Sequence, residues 1–186
     1  MSVLADLHKH IVAGAALAVW ISGPVRAEES VVEDFLRQLQ EAPPGQAERI
    51  VGAIQTEWSK SGSPAIDLLF RRGQDAIEAG DYPLAAEHLT AAIDHAPEFA
   101  EAYSARANVY YRMGHLGPAL DDLRQTLALN PQNFLAMRGF AVIMEELERP
   151  EDALELYGRV LAFYPADQDA LDAQARIRQA LLGEAL

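Results

Sequence analysis

Proline returns every 34 residues along this chain, at Pro97, Pro131 and Pro165. Two further markers keep the same period. Ala85, Ala119 and Ala153 stand twelve residues before each proline, and Leu89, Leu123 and Tyr157 stand eight before. A fixed period of this length predicts short units that stack on their neighbours and bury a shared core. It constrains the architecture tightly and leaves the bound partner open.

The chain has 186 residues, room for one ordinary domain rather than two. Half are apolar, enough for a packed core. Residues 1–27 stand apart from that core. Residues 11–23 (IVAGAALAVWISG) are uncharged, follow Lys9, and lead into Val25-Arg26-Ala27, a small-x-small cleavage pattern. A weakly basic start, an apolar middle and small residues at the cut make a secretory signal, cleaved after Ala27. The competing reading is an uncleaved anchoring helix. The apolar run spans roughly 20 Å as a helix, short of the about 30 Å of a bilayer core, which favours cleavage. Export is therefore expected, with no membrane insertion after cleavage.

The chain contains no cysteine, which excludes disulfides, thiolate metal sites, thiol catalysis and a thiol-linked lipid. Its formal net charge is −13; removal of residues 1–27 takes away two cations and one anion and leaves −14. Such a surface repels nucleic acid and anionic membranes, so a charged partner is expected to be basic. Solubility alone would also account for the acidity.

Residues 28–65 lie outside the 34-residue register. Ser30 followed by Glu33 forms a capping box, and Val31, Phe35 and Leu39 then recur at helical spacing. Pro43-Pro44-Gly45 breaks the chain before a second amphipathic helix with Ile50, Val51, Ile54 and Trp58 on one face. This pair is expected to cap the open edge of the first repeat, with residues 59–64 (SKSGSP) as a polar connector.

With each proline at position 32, the repeats span 66–99, 100–133 and 134–167. Each holds two helices. Gly80 and Gly114 supply the left-handed residue that closes the first helix, and Asp81 is a natural N-cap for the next. Glu148 replaces that glycine in the third unit, so a positive φ there is expected to cost about 1 kcal/mol. The recurring alanines mark where the two helices of a unit cross closely enough to exclude a larger side chain. Residues 168–186 form one more helix. Ala170, Ala173, Ile177 and Leu181 line one side, and Asp169, Asp172, Arg176 and Gln179 the other, as a terminal cap requires.

These units resemble the tetratricopeptide repeat, whose pattern asks for small residues at positions 8, 20 and 27, bulky ones at 4, 11 and 24, and proline at 32. The first unit offers Leu69, Gly73, Ala76, Ala85, Leu89, Ala92 and Pro97. The second offers Tyr103, Ala107, Tyr110, Ala119, Leu123, Thr126 and Pro131, and the third Met137, Ala141, Met144, Ala153, Tyr157, Val160 and Pro165. The resemblance implies an all-α, right-handed superhelical stack of three helix-turn-helix repeats, with an N-terminal helical cap and a C-terminal capping helix. Joined to the export signal, it implies the periplasm as destination. It also implies a concave groove lined by positions 2, 5, 9 and 12 of each first helix. Those positions hold Asp67, Phe70, Gln74 and Ile77, then Glu101, Ser104, Asn108 and Tyr111, then Leu135, Arg138, Val142 and Glu145.

Within that set the expected partner-binding residues are Phe70, Gln74, Ser104, Asn108, Tyr111 and Arg138. Asn108 can donate to and accept from a peptide backbone at once. Phe70 and Tyr111 would anchor apolar groups, and Arg138 a carboxylate. Family members that bind chaperone tails hold a C-terminal carboxylate with paired lysines and asparagines. Phe70, Gln74, Leu135 and Gly139 stand where that clamp would need polar and basic groups, so no such clamp is expected.

Catalysis has no support in the sequence. His88 and His95 lie about 10.5 Å apart along a helix, too far to share a zinc ion. Asp121-Asp122 and Glu145-Glu146 are adjacent on helices, so their side chains diverge, and they are expected to be solvated faces rather than acid–base pairs. The sequence predicts no catalytic residue, no cofactor and no metal site. It describes an exported module that binds a peptide segment or helix of an envelope protein in its concave groove. The alternative is a structural protein that self-associates through the repeat array.

Overall fold

The computed structural model describes residues 30–184, which form nine α-helices and no strand. The signal segment expected over residues 1–27 lies outside the described residues. The helices are α1 (Val31–Glu41), α2 (Pro44–Trp58), α3 (Pro64–Glu78), α4 (Tyr82–His95), α5 (Ala100–Arg112), α6 (Leu116–Leu129), α7 (Phe134–Glu146), α8 (Pro150–Phe163) and α9 (Gln168–Glu184). Helices α3/α4, α5/α6 and α7/α8 are the three repeats, each pair packed antiparallel and each stacked on the next.

Close approach of the paired helices holds each unit together. Ala85, Ala119 and Ala153 are fully buried at the crossings, and Leu89, Leu123 and Tyr157 pack one turn further on. At the first crossing a Cβ on Gly73 would come within 2.7 Å of Leu89 Cγ, so any larger residue would force Leu89 to shift. The turns repeat as faithfully as the crossings. The amides of Asp81, His115 and Arg149 donate to the carbonyls of Ala76, Tyr110 and Met144, closing each first helix with the same six-to-one bond. That bond requires a left-handed residue, supplied by Gly80 and Gly114 (both φ 75°) and by Glu148 (φ 56°) as the spacing predicts.

Arg106 ties the stack together on the side of α5 that faces the second helices. Its guanidinium grips Asp122 of α6 with two 2.8 Å bonds and donates to Thr90 Oγ1 of α4 at 3.0 Å. The rings of Tyr103 and Tyr110 flank the cation. Asp122 is therefore buried and ion-paired, which corrects the expectation of a solvated face; Asp121 alone is exposed. Glu145 and Glu146 diverge as expected, but both are engaged. Glu145 accepts from Tyr157 and Arg176, and Glu146 from Tyr111. At the C-terminal end, α9 buries Ala170, Ala173 and Ile177 against α8, while Arg176 reaches Glu145 from its polar side.

The N-terminal pair corrects another expectation. The capping box forms as predicted, with Glu33 N–H donating to Ser30 Oγ and Ser30 N–H to Glu33 Oε2. The hairpin does not cover the first repeat, however. Leu36, Leu39, Ala47, Ile50 and Ile54 pack on Phe134 and Tyr164 of the third repeat. Trp58 stacks 5.6 Å from Phe134, and Gln40 donates to the Ala162 carbonyl. The reason lies in what the repeats present. The third offers Phe134, Leu135, Phe163 and Tyr164 as an apolar seat. In the first, Phe70 is already buried edge-on against Phe99, with ring centroids 5.1 Å apart. The connector is fastened by Asp67, whose carboxylate accepts from the Ser61 amide and hydroxyl. Those two bonds hold its pKa below the ordinary value.

Glu148 carries the backbone strain that glycine avoids at Gly80 and Gly114. Replacing it, Glu148→Gly, is expected to raise stability by about 1 kcal/mol in urea unfolding. A stability equal to or below the parent's would contradict this account of the third turn.

Candidate functional site

The first helices of the three repeats, α3, α5 and α7, share one wall of the stack. Between them lies a cleft of about 550 Å³. Gln74, Ile77 and Glu78 come to it from α3, and Glu101, Ser104, Asn108 and Tyr111 from α5. Leu135, Arg138 and Val142 come from α7, and Gln55 of the hairpin joins them. Nine of the twelve groove positions expected from the family pattern thus meet in one cleft. Among the described residues no group of three or more His, Asp or Glu side chains is placed to hold a metal ion.

The six expected binding residues divide into three kinds. Gln74, Ser104 and Asn108 line the cleft and make no side-chain hydrogen bond to any described residue. Their donors and acceptors face the open space, where only solvent meets them. Tyr111 also lines it, but its hydroxyl donates to Glu146 of α7. That bond, with burial second, raises the hydroxyl pKa, so Tyr111 offers its ring rather than its oxygen. Arg138 reaches the cleft with its charge already committed. Its Nη1 lies 3.0 Å from Asp167 and 3.5 Å from Asp169, so a ligand carboxylate there would share the cation with two acids.

Phe70 does not line the cleft and is only 2% exposed. Position 34 explains the displacement. Asn133 and Asp167 occupy it ahead of α7 and α9, and both cap those helices with their side chains. The same position ahead of α5 is Phe99, which caps nothing and draws Phe70 into the core. The other two positions outside the cleft, Asp67 and Glu145, are held by Ser61 and by Tyr157 and Arg176 respectively.

Glu101 is the residue whose importance the sequence did not reveal. It stands in the first turn of α5, and its Oε2 accepts from Asn133 Nδ2 at 3.2 Å. Asn133 is itself fixed, because its Oδ1 accepts from the Ala136 amide at 2.9 Å. No arginine, lysine or histidine among the described residues pairs with Glu101. Burial pushes its carboxyl up to about 7, and the bond from Asn133 opposes that only in part. Only the three-dimensional neighbourhood could disclose this, since a glutamate near a helix start is ordinarily solvated.

The model of the tetratricopeptide repeat family matches residues 70–114 and 104–170. The chain is a tetratricopeptide repeat protein. A TPR repeat-containing protein of Rhizobium etli is 32% identical over 149 residues, which cover 80% of this chain and 73% of the relative. Hsp70-Hsp90 organizing protein 1 of Glycine max is 30% identical over 105 residues, 56% of this chain and 18% of that longer protein. Among solved structures, the first TPR of Spaghetti (RPAP3) bound to the HSP90 peptide SRMEEVD superimposes with a TM-score of 0.61. It is 26% identical to this chain and covers 63% of it, and 93% of the RPAP3 chain is matched.

The raised Glu101 carboxyl gives this tetratricopeptide repeat a signature in its stability. The folded state holds a proton on Glu101 at pH values where the unfolded chain, near the ordinary 4.5, has lost it. The contribution is therefore complete below about pH 4.5 and is lost as pH rises through about 7. Glu101→Gln should keep the Asn133 contact and remove the effect. Its unfolding temperature should exceed the parent's at pH 8 and match it near pH 4.5. Parallel pH profiles for the two proteins would contradict this.

Proposed function

We propose that the chain is a non-catalytic interaction module that holds a peptide segment of another protein in the cleft between α3, α5 and α7. The observation that carries this reading is the row of polar groups on Gln74, Ser104 and Asn108 that no described residue engages. A peptide backbone presents the N–H and C=O groups such a row can match, and Tyr111, Leu135 and Val142 supply apolar surface between them. The RPAP3 domain holds a peptide, which supports a peptide as the ligand class.

The ligand is expected to differ from that acidic tail. Phe70, Gln74, Leu135 and Gly139 replace the groups of a carboxylate clamp, and Arg138 is neutralised by Asp167 and Asp169. With Arg138 committed, the cleft carries Glu78 and Glu101 against Arg112 alone, an excess of acid that suits a basic segment. An extended segment suits it better than a helix, because the hairpin already covers the apolar seat at Phe134 and Tyr164. We assign the partner to the bacterial envelope. Support for this is the signal pattern of residues 1–27, outside the described structure. No helix among the described residues is long and apolar enough to cross a membrane.

Asn108→Ala should lower recovery of the partner from cell extract about tenfold, the worth of one well-placed polar contact. Equal recovery of every bound protein by both forms would remove the cleft from the account. Mass spectrometry of the protein purified from its native host should find a mature N-terminus at Glu28. A chain still beginning at Met1 would contradict export with cleavage.

A further inference from the structure

We infer that the cleft contains a cation subsite at Glu101, built to take the lysine or arginine side chain of a bound peptide. The inference rests on the peptide-binding reading above and names the chemistry its ligand must carry.

Glu101 is held in place on one side only. Asn133 donates to Oε2, and Asn133 is locked in turn by the amide of Ala136 at the start of α7. Oε1 accepts no hydrogen bond from any described residue, yet it is not sealed off, since no buried side-chain oxygen lacks a partner. It is therefore reachable from outside, on a residue that lines the cleft. An oriented carboxylate with one oxygen satisfied and the other open is half of a charge-assisted pair. No described residue supplies the other half.

The surroundings select the sign of the missing group. The other charged residues lining the cleft are Glu78 from α3, Arg112 at the far end of α5, and Arg138 from α7. Glu78 adds to the negative potential. Arg138 is held by Asp167 and Asp169, and Arg106 of α5 is spent on its buried pair with Asp122 of α6. No charge on these elements moves the Glu101 carboxyl; burial alone raises it. An arriving ammonium or guanidinium would meet a desolvated partner, where a charge pair is stronger than at a solvated surface. An anion would meet the reverse at Glu101, since Arg112 stands at the other end of α5. The unpaired polar groups of Ser104 and Asn108, further along the same helix, would hold the flanking backbone.

The test uses three capped heptapeptides, Gly-Ala-Ala-X-Ala-Ala-Gly, with lysine, norleucine or glutamate at X. They are titrated at pH 8 into the isotope-labelled full chain and followed by amide NMR. The lysine peptide should bind about tenfold more tightly than the norleucine peptide, the worth of one charge-assisted hydrogen bond, and the glutamate peptide more weakly than either. Shifts should centre on Ser104, Asn108 and the Asn133 side-chain amide. Glu101→Gln should bring the lysine and norleucine affinities together, and so should lowering the pH to 5.5, which protonates the carboxyl.

Equal binding of lysine and norleucine peptides to the parent, with cleft signals moving in both, overturns the cation subsite and leaves the peptide-binding cleft standing. A lysine preference that survives Glu101→Gln overturns the assignment to Glu101. Millimolar peptides that move no cleft signal overturn both readings.

Discussion

The close approach of paired helices at Ala85, Ala119 and Ala153 is the constraint on which the rest of the structure depends. With no side chain beyond a methyl at the crossing, the two helices of a unit meet at one depth and one angle, and Leu89, Leu123 and Tyr157 fill the space beside it. Repeating that geometry at one period puts every first helix on the same wall. The cleft follows from this alignment, because α3, α5 and α7 turn the same helical positions toward one another. A larger residue at any crossing would spread one unit and tilt the wall.

What varies between the repeats decides what the wall can bind. Position 34 is the clearest case. Phe99 there pulls Phe70 into the core and closes the first repeat, whereas Asn133 orients Glu101 and Asp167 binds Arg138. A single register position thus buries one potential ligand contact, aims a second and neutralises a third. The third repeat differs again at its inner edge, where Phe134, Leu135 and Tyr164 seat the N-terminal hairpin. The hairpin thereby contributes Gln55 to the cleft and covers apolar surface that would otherwise be open to a partner helix.

Most of the fold was legible because its signals are local and repeated. The alanine crossings, the turn glycines, the positive φ of Glu148 and the Ser30–Glu33 capping box are each settled by residues within a few positions of one another. The site was legible in outline, since the family pattern placed Gln74, Ser104, Asn108 and Tyr111 in the cleft. What escaped was set by contacts distant in sequence. The hairpin chooses a seat some hundred residues away, and Asp122 looks like its solvated neighbour Asp121 until Arg106 reaches it from another helix. The ion pair of Arg138 was equally hidden, because nothing adjacent to it foretells Asp167. In each case the competing partner lies on another helix, and only packing reveals which one wins.

The central claim is that ligand recognition belongs to the wall formed by α3, α5 and α7. Site-specific photo-crosslinking in living cells tests it most directly, with a benzophenone amino acid at position 108 in the cleft or at position 87 on exposed α4. The account predicts a discrete crosslinked partner from position 108 and none from position 87. Crosslinks of equal yield from both positions, or from position 87 alone, would contradict it.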